Sequence, residues 1–153
     1  MIVGVLDNIR SLYNVGSIFR TADAFNLKHL YLCGMTGSPG DEQVKQKIAK
    51  TALGANETVP WTHYLNTVEA IQKLKQQGLT ILALEQTPTA ISLFEYQPEQ
   101  STSIALIVGH ELYGIHQDVL DLADQHLMIP MLGQKESLNV AVAFGIATAH
   151  LRF

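Results

Sequence analysis

The sequence predicts an α/β fold with a mainly parallel sheet and helices on both of its faces. Apolar runs of strand length recur at residues 2–6, 29–33, 80–84, 104–108 and 127–131. They are rich in Val, Ile and Leu with little alternation, as strands covered on both faces require. Helical patterns lie between them, and strands alternating with helices build parallel sheets. Polar segments follow four of the five runs, and open α/β sheets bind ligands beyond the carboxyl ends of their strands.

Each helix has its own signal. Residues 14–25 place Val15, Ile18, Phe19, Ala22 and Phe25 on one stripe. The stretch 33–42, "CGMTGSPGDE", reads as a loop. Residues 41–52 form a polar helix with three lysines, its start marked by Asp41 or Pro39. Residues 64–77 carry Leu65, Val68, Ile71 and Leu74 at helical spacing, and Gly78 ends the pattern. A short helix is expected over 116–123, and the last helix begins near Ser137 or Leu138. That helix carries no charge from Asn139 to Ala149. A helix apolar all round is buried on all sides, and in so small a domain part of that cover is most simply a second subunit, so a homodimer is expected.

The chain has 153 residues, enough for one domain with a real core, at 47% hydrophobic and 16% charged residues. The lone cysteine, Cys33, excludes an internal disulfide and reads as a small core residue. No basic leader or membrane-length apolar run is present, so a cytoplasmic protein is expected. The net charge of −4 argues mildly against a dedicated nucleic-acid binder. A local basic patch remains open to Arg10, Arg20, Lys45, Lys47, Lys50 and Lys135. There is no G-x-G-x-x-G, Walker A or G-x-S-x-G motif. None of the histidines pair at metal-ligand spacing, so no metal is expected.

Three stretches hold the candidate chemistry. In "NVGSIFRTADAF", Asn14 and Gly16 stand at a helix start, where free N–H groups favour an anion. Arg20 sits in an otherwise apolar setting and needs either a ligand or an ion pair, to Asp23 or Glu111. In "IVGHELYGI", Gly109 would allow close approach of a ligand to the backbone, and Glu111 would accept hydrogen bonds from a ligand or from an arginine. In "IPMLGQKESLN", Gly133 suits a sharp turn and Ser137 an N-cap, with Asn139 on the first turn.

Together these stretches resemble the SpoU/TrmH family of SPOUT-class RNA 2′-O-ribose methyltransferases. The first motif reads Asn14-x-Gly16-x-x-x-Arg20-Thr21-Ala22 and the second Gly109-x-Glu111-x-x-Gly114. The third reads Ile129-Pro130-Met131, then Ser137-Leu138-Asn139 and the small-residue helix. Order and spacing match over nearly the whole chain. The resemblance implies a C-terminal trefoil knot and a single catalytic domain over 1–153 without extension. It implies S-adenosylmethionine bound by Leu84, Glu85, Gly109, Ile129, Met131, Gly133, Ser137 and Leu138. It implies transfer of a methyl group to a ribose 2′-hydroxyl of tRNA, or less readily rRNA. Catalysis would fall to Arg20, Asn14, Glu111, Ser137 and Asn139, in an active site near a dimer interface that takes residues from both chains. RNA would be held by Arg10, Arg20, Lys45, Lys47 and Lys50. His110 stands where the family often has Asn. The alternatives are a non-catalytic RNA-binding dimer of the same fold and a small-molecule binding protein.

Overall fold

The computed structural model describes residues 1–153. Seven strands form one sheet: β1 (Ile2–Asp7), β2 (Leu30–Cys33), β3 (Trp61–Tyr64), β4 (Thr80–Leu84), β5 (Ile91–Ser92), β6 (Ile104–Gly109) and β7 (Gln125–Met128). The helices are α1 (Leu12–Ala24), α2 (Lys45–Ala52), α3 (Ala55–Thr58), α4 (Thr67–Gln76), α5 (Gln117–Leu120) and α6 (Val140–Arg152). The strand order is β3-β2-β1-β6-β4-β7-β5, and every pair is parallel.

Successive side chains of a strand point to opposite faces, and the core divides accordingly. Leu6, Leu30, Leu32, Leu82, Leu106 and Val108 join α1, α2 and α6 in one cluster, which includes Ile18, Phe19, Ile48 and Phe144. Val5, Cys33, Ile81, Ala83, Ala105 and Ile107 join α4 and α5 in the other, with Ile71, Leu74 and Val119. Helices therefore cover both faces, which is why β1 and β6 read as unbroken apolar runs.

Several boundaries differ from expectation. β3 carries Trp-Thr-His-Tyr, with no aliphatic run to announce it. The helix expected from residue 64 starts at Thr67, because the Asn66 side chain caps it by accepting from the Val68 N–H at 2.8 Å. Leu65 thus lies outside the helix and is 89% exposed. α2 begins at Lys45, not near Asp41. β7 ends at Met128, short of the expected residue 131; Pro130 has no N–H to give a ladder. The cap of α6 is Asn139, whose Oδ1 accepts from Ala141 N and Val142 N at 2.9 and 3.3 Å, and not Ser137. α6 is also not buried all round within one chain, since Val142 is 51% exposed.

Gly16 shows how tightly α1 and α2 approach. A Cβ there would collide with the Ile48 carbonyl and with Oγ1 of Thr51. The expected anion site at this helix start does not need the glycine; the packing does. Gly16→Ala gains about 1 kcal/mol of helix propensity but must push α2 aside. A net loss of about 1–3 kcal/mol is expected, read as a fall in the thermal midpoint of roughly 2–4 °C per kcal/mol.

Candidate active site

The carboxyl ends of three adjacent strands, β6, β4 and β7, open into a cavity of about 310 Å³. Leu84, Glu85, Val108, Gly109, Leu127 and Met128 form its floor. The loop after β6 adds His110, Glu111, Leu112 and Gly114. Ile129, Met131, Ser137, Leu138 and Asn139 close the far side, with Val140 and Ala143 of α6. Of the expected cofactor residues only Gly133 stands apart; it is exposed, with open space where a Cβ would lie.

Hydrogen bonds join the three motifs at the rim. Glu111 accepts from Ser11 N at 2.9 Å, Arg10 N at 3.0 Å and the Asn14 amide at 3.0 Å. Asn14 Oδ1 accepts from the Asn139 amide at 3.1 Å. The anion at the start of α1 is therefore the Glu111 carboxylate. Burial works to raise its pKa, but the hydrogen bonds from Ser11, Arg10 and Asn14 outweigh it and hold the group below its ordinary 4.5.

Gly109 lines the cavity and is also required by the packing of its own loop. A Cβ there would strike the backbone of Gly114 and Ile115, because the loop folds straight back through the reciprocal bonds His110 N to Gly114 O, 3.1 Å, and Gly114 N to His110 O, 2.8 Å. Inside the loop, His110 Nδ1 accepts from Leu112 N at 3.0 Å and Tyr113 N at 3.2 Å. An asparagine Oδ1 can make the same turn, which accounts for histidine at this position and puts the ring proton on Nε2. Glu85 is also occupied: its carboxylate accepts from Ile115 N and Gln86 N at 3.0 and 3.1 Å, tying the loop to β4.

Two supports escaped the sequence reading. Asp7, 1% exposed, accepts from Thr67 Oγ1 at 2.6 Å, Asn8 Nδ2 at 3.0 Å and His116 N at 3.0 Å. It pairs with Gly109 across the ladder and so braces the loop from beneath. An acid ending an apolar strand was the available signal. Gln86 donates to Glu136 O at 2.8 Å and draws the 129–138 segment over the cavity; nothing local marks it. Burial, and then the Asp7 charge, push the Cys33 thiol up to about 12 against the Thr67 hydrogen bond, so Cys33 is an inert core residue.

Arg20 is not brought to this rim. It is exposed, forms no ion pair with Asp23 or Glu111, and lines a separate groove between α1 and α2 with Lys50 and Thr51. Arg10, Lys47 and Lys50 are exposed, and Lys45 pairs with Glu42 at 2.9 Å. No group of three His, Cys, Asp or Glu is placed to hold a metal.

A parallel sheet with a cavity at its strand ends, closed by a polar loop and a small-residue helix, defines a ligand-binding α/β protein. Residues 1–149 match the model of the SpoU rRNA Methylase family, and the chain belongs to that family. It is 34% identical over 138 residues to the tRNA (guanosine(18)-2′-O)-methyltransferase of Escherichia coli, covering 90% of this chain and 57% of that protein. It is 32% identical over 142 residues to a 23S rRNA (guanosine-2′-O-)-methyltransferase of Ralstonia nicotianae, covering 93% and 54%. The chain thus spans a little over half the length of these relatives. The AdoMet-bound rRNA methyltransferase of Sinorhizobium meliloti superposes with a TM-score of 0.89 at 26% identity, over 99% of this chain and 55% of that one. A structure described by 2-OH methylation of C/U34 on tRNA superposes with a TM-score of 0.82 at 26% identity, over 99% and 93%.

The depressed Glu111 carboxyl sets a pH dependence. A group whose folded pKa is lowered stabilises above its unfolded value and loses that contribution as pH falls through the folded value. Glu111→Gln is expected to be less stable than the parent chain at pH 7. Thermal melts across acid pH should show the gap closing below the ordinary carboxylate value of 4.5. His110→Asn should retain the melting point within about 0.5 kcal/mol of stability, since the turn keeps its acceptor.

Proposed function

We propose that this chain transfers a methyl group from S-adenosylmethionine to a ribose 2′-hydroxyl of RNA, with tRNA favoured over rRNA. The observation that carries the reading is the hydrogen-bonded meeting of Asn14, Glu111 and Asn139, from three distant motifs, at the rim of one cavity. The tRNA preference is supported by the first curated relative and by the near-equal length of the tRNA-modifying structural neighbour.

The cavity suits the cofactor. Leu84, Leu127, Ile129 and Leu138 offer apolar walls for an adenine. Residues 129–138 make no backbone–backbone hydrogen bonds, which leaves N–H and C=O groups to read the edge of a purine. S-adenosylmethionine supplies a methyl group already activated on a sulfonium. The residues of the chain have to align the ribose oxygen with that methyl, and alignment can account for much of the rate.

A guanidinium stays protonated under ordinary conditions. Arg20 is therefore read as a clamp for an RNA phosphate and a stabiliser of the developing alkoxide, not as a base. Its place on α1, six residues and about 9 Å beyond Asn14, favours an active site shared between copies, in which the partner subunit's Arg20 faces this cavity. The exposed Val142 in the first turn of α6 and the partly exposed Leu138 just before its cap supply apolar surface for such a homodimer. Ser137 and Asn139 would then orient the ribose. Arg10, Lys47 and Lys50 would contact RNA phosphates, with Lys45 released from Glu42. We also assign the C-terminal segment to a knot, drawn under the loop that follows β4, and the protein to the cytoplasm, where tRNA is modified. No helix is long and apolar enough to cross a membrane.

Calorimetry with S-adenosylmethionine and tritiated methyl transfer onto unmodified tRNA transcripts test the reading. Arg20→Ala should reduce transfer by about 10²–10³-fold, as loss of one transition-state donor does, with cofactor affinity unchanged. Loss of cofactor affinity in that variant would overturn the role given to Arg20. A parent chain that binds RNA without transferring methyl would favour the non-catalytic RNA-binding dimer.

A further inference from the structure

Tyr113 is 85% exposed, unusual for a large ring in an ordered loop. Its ring lies on the imidazole of His110 with centroids 4.8 Å apart and planes at 26°. Both residues belong to the turn closed by the His110–Gly114 bonds and by His110 Nδ1. The ring is thus held in place before any partner arrives, and its ordering entropy has already been lost in folding. The loop is also the wall of the cavity: His110, Glu111, Leu112 and Gly114 line it. The backbone N–H of Arg10 donates to Glu111 of the same loop at 3.0 Å, and the residue is exposed and in no ion pair.

An exposed aromatic face on the loop that walls the cavity, with an unpaired arginine bonded through its backbone to the same loop, matches one chemistry closely. Bases splayed from a single-stranded RNA loop stack on aromatic rings while cations hold the phosphates. We propose that Tyr113, backed by His110, is the platform on which an unpaired base of the RNA substrate stacks beside the ribose to be methylated. This rests on the methyltransferase reading above. It makes Tyr113, at an unspecified position of the second motif, a substrate-binding residue and predicts tolerance of base identity, because every base has a π-face.

The test compares Tyr113→Phe, Tyr113→Leu and Tyr113→Ala in the full chain. Methyl transfer and filter retention of the same unmodified tRNA transcripts are measured alongside S-adenosylmethionine affinity. The stacking energy of one base corresponds to roughly 5–150-fold in affinity. Leu and Ala should raise the KM and Kd for RNA by that factor, leave kcat and cofactor affinity unchanged, and Phe should match the parent chain. Equal RNA affinity in all three overturns the proposal. So does a change in cofactor affinity, which would mean that Tyr113 acts through His110 on the cavity. If the parent chain transfers no methyl but RNA retention still follows the ring, the stacking surface stands and the activity reading falls. If the parent chain neither transfers nor retains RNA, both fall.

Discussion

The carboxylate of Glu111 is the point on which the site depends. It leaves the end of a central strand and meets the start of α1, where the free N–H groups of Arg10 and Ser11 need an acceptor. Asn14 then passes the connection to Asn139, which caps α6. One side chain thus sets the entry of α1, and through one amide the entry of α6, relative to β6. The cavity lies between those elements, so its shape follows from hydrogen bonds as much as from apolar packing.

The remaining polar groups extend this arrangement below and above the loop. Asp7 braces it from the buried side and Glu85 from the neighbouring strand. Three carboxylates in one small region would repel one another if left bare. Each instead accepts two or three N–H or O–H groups, which meets the need of acid oxygens withdrawn from water for hydrogen-bond partners. Arg10, Arg20, Lys47 and Lys50 remain exposed and outside any ion pair, whereas Lys45 and Lys75 are paired with acids.

The division of labour across the sheet follows from the same economy. Strands buried on both faces are rigid, and polar chemistry is confined to their carboxyl ends. The loop after β6 is short, turns back on itself and has most of its polar groups satisfied, so it can display an aromatic ring to solvent without losing shape.

Much of this was legible in the residues. The five aliphatic runs marked β1, β2, β4, β6 and β7, because burial on both faces demands apolar residues at every position. The edge strands β3 and β5 were not legible, since one is built of Trp, Thr, His and Tyr and the other is two residues long. Most of the expected cofactor residues meet at one cavity, for motif order reflects strand order. Gly109 and Gly16 were legible as glycines but not in purpose: only the packed structure brings Gly114 and α2 close enough to exclude a Cβ. Local patterns determined the elements and the chemical types at the strand ends. Tertiary structure alone decided that Glu111, Asn14 and Asn139 share a network, that Arg20 lies apart from it, and that Tyr113 faces outward. These are relations between residues some hundred positions apart, and short-range periodicity carries no information about them.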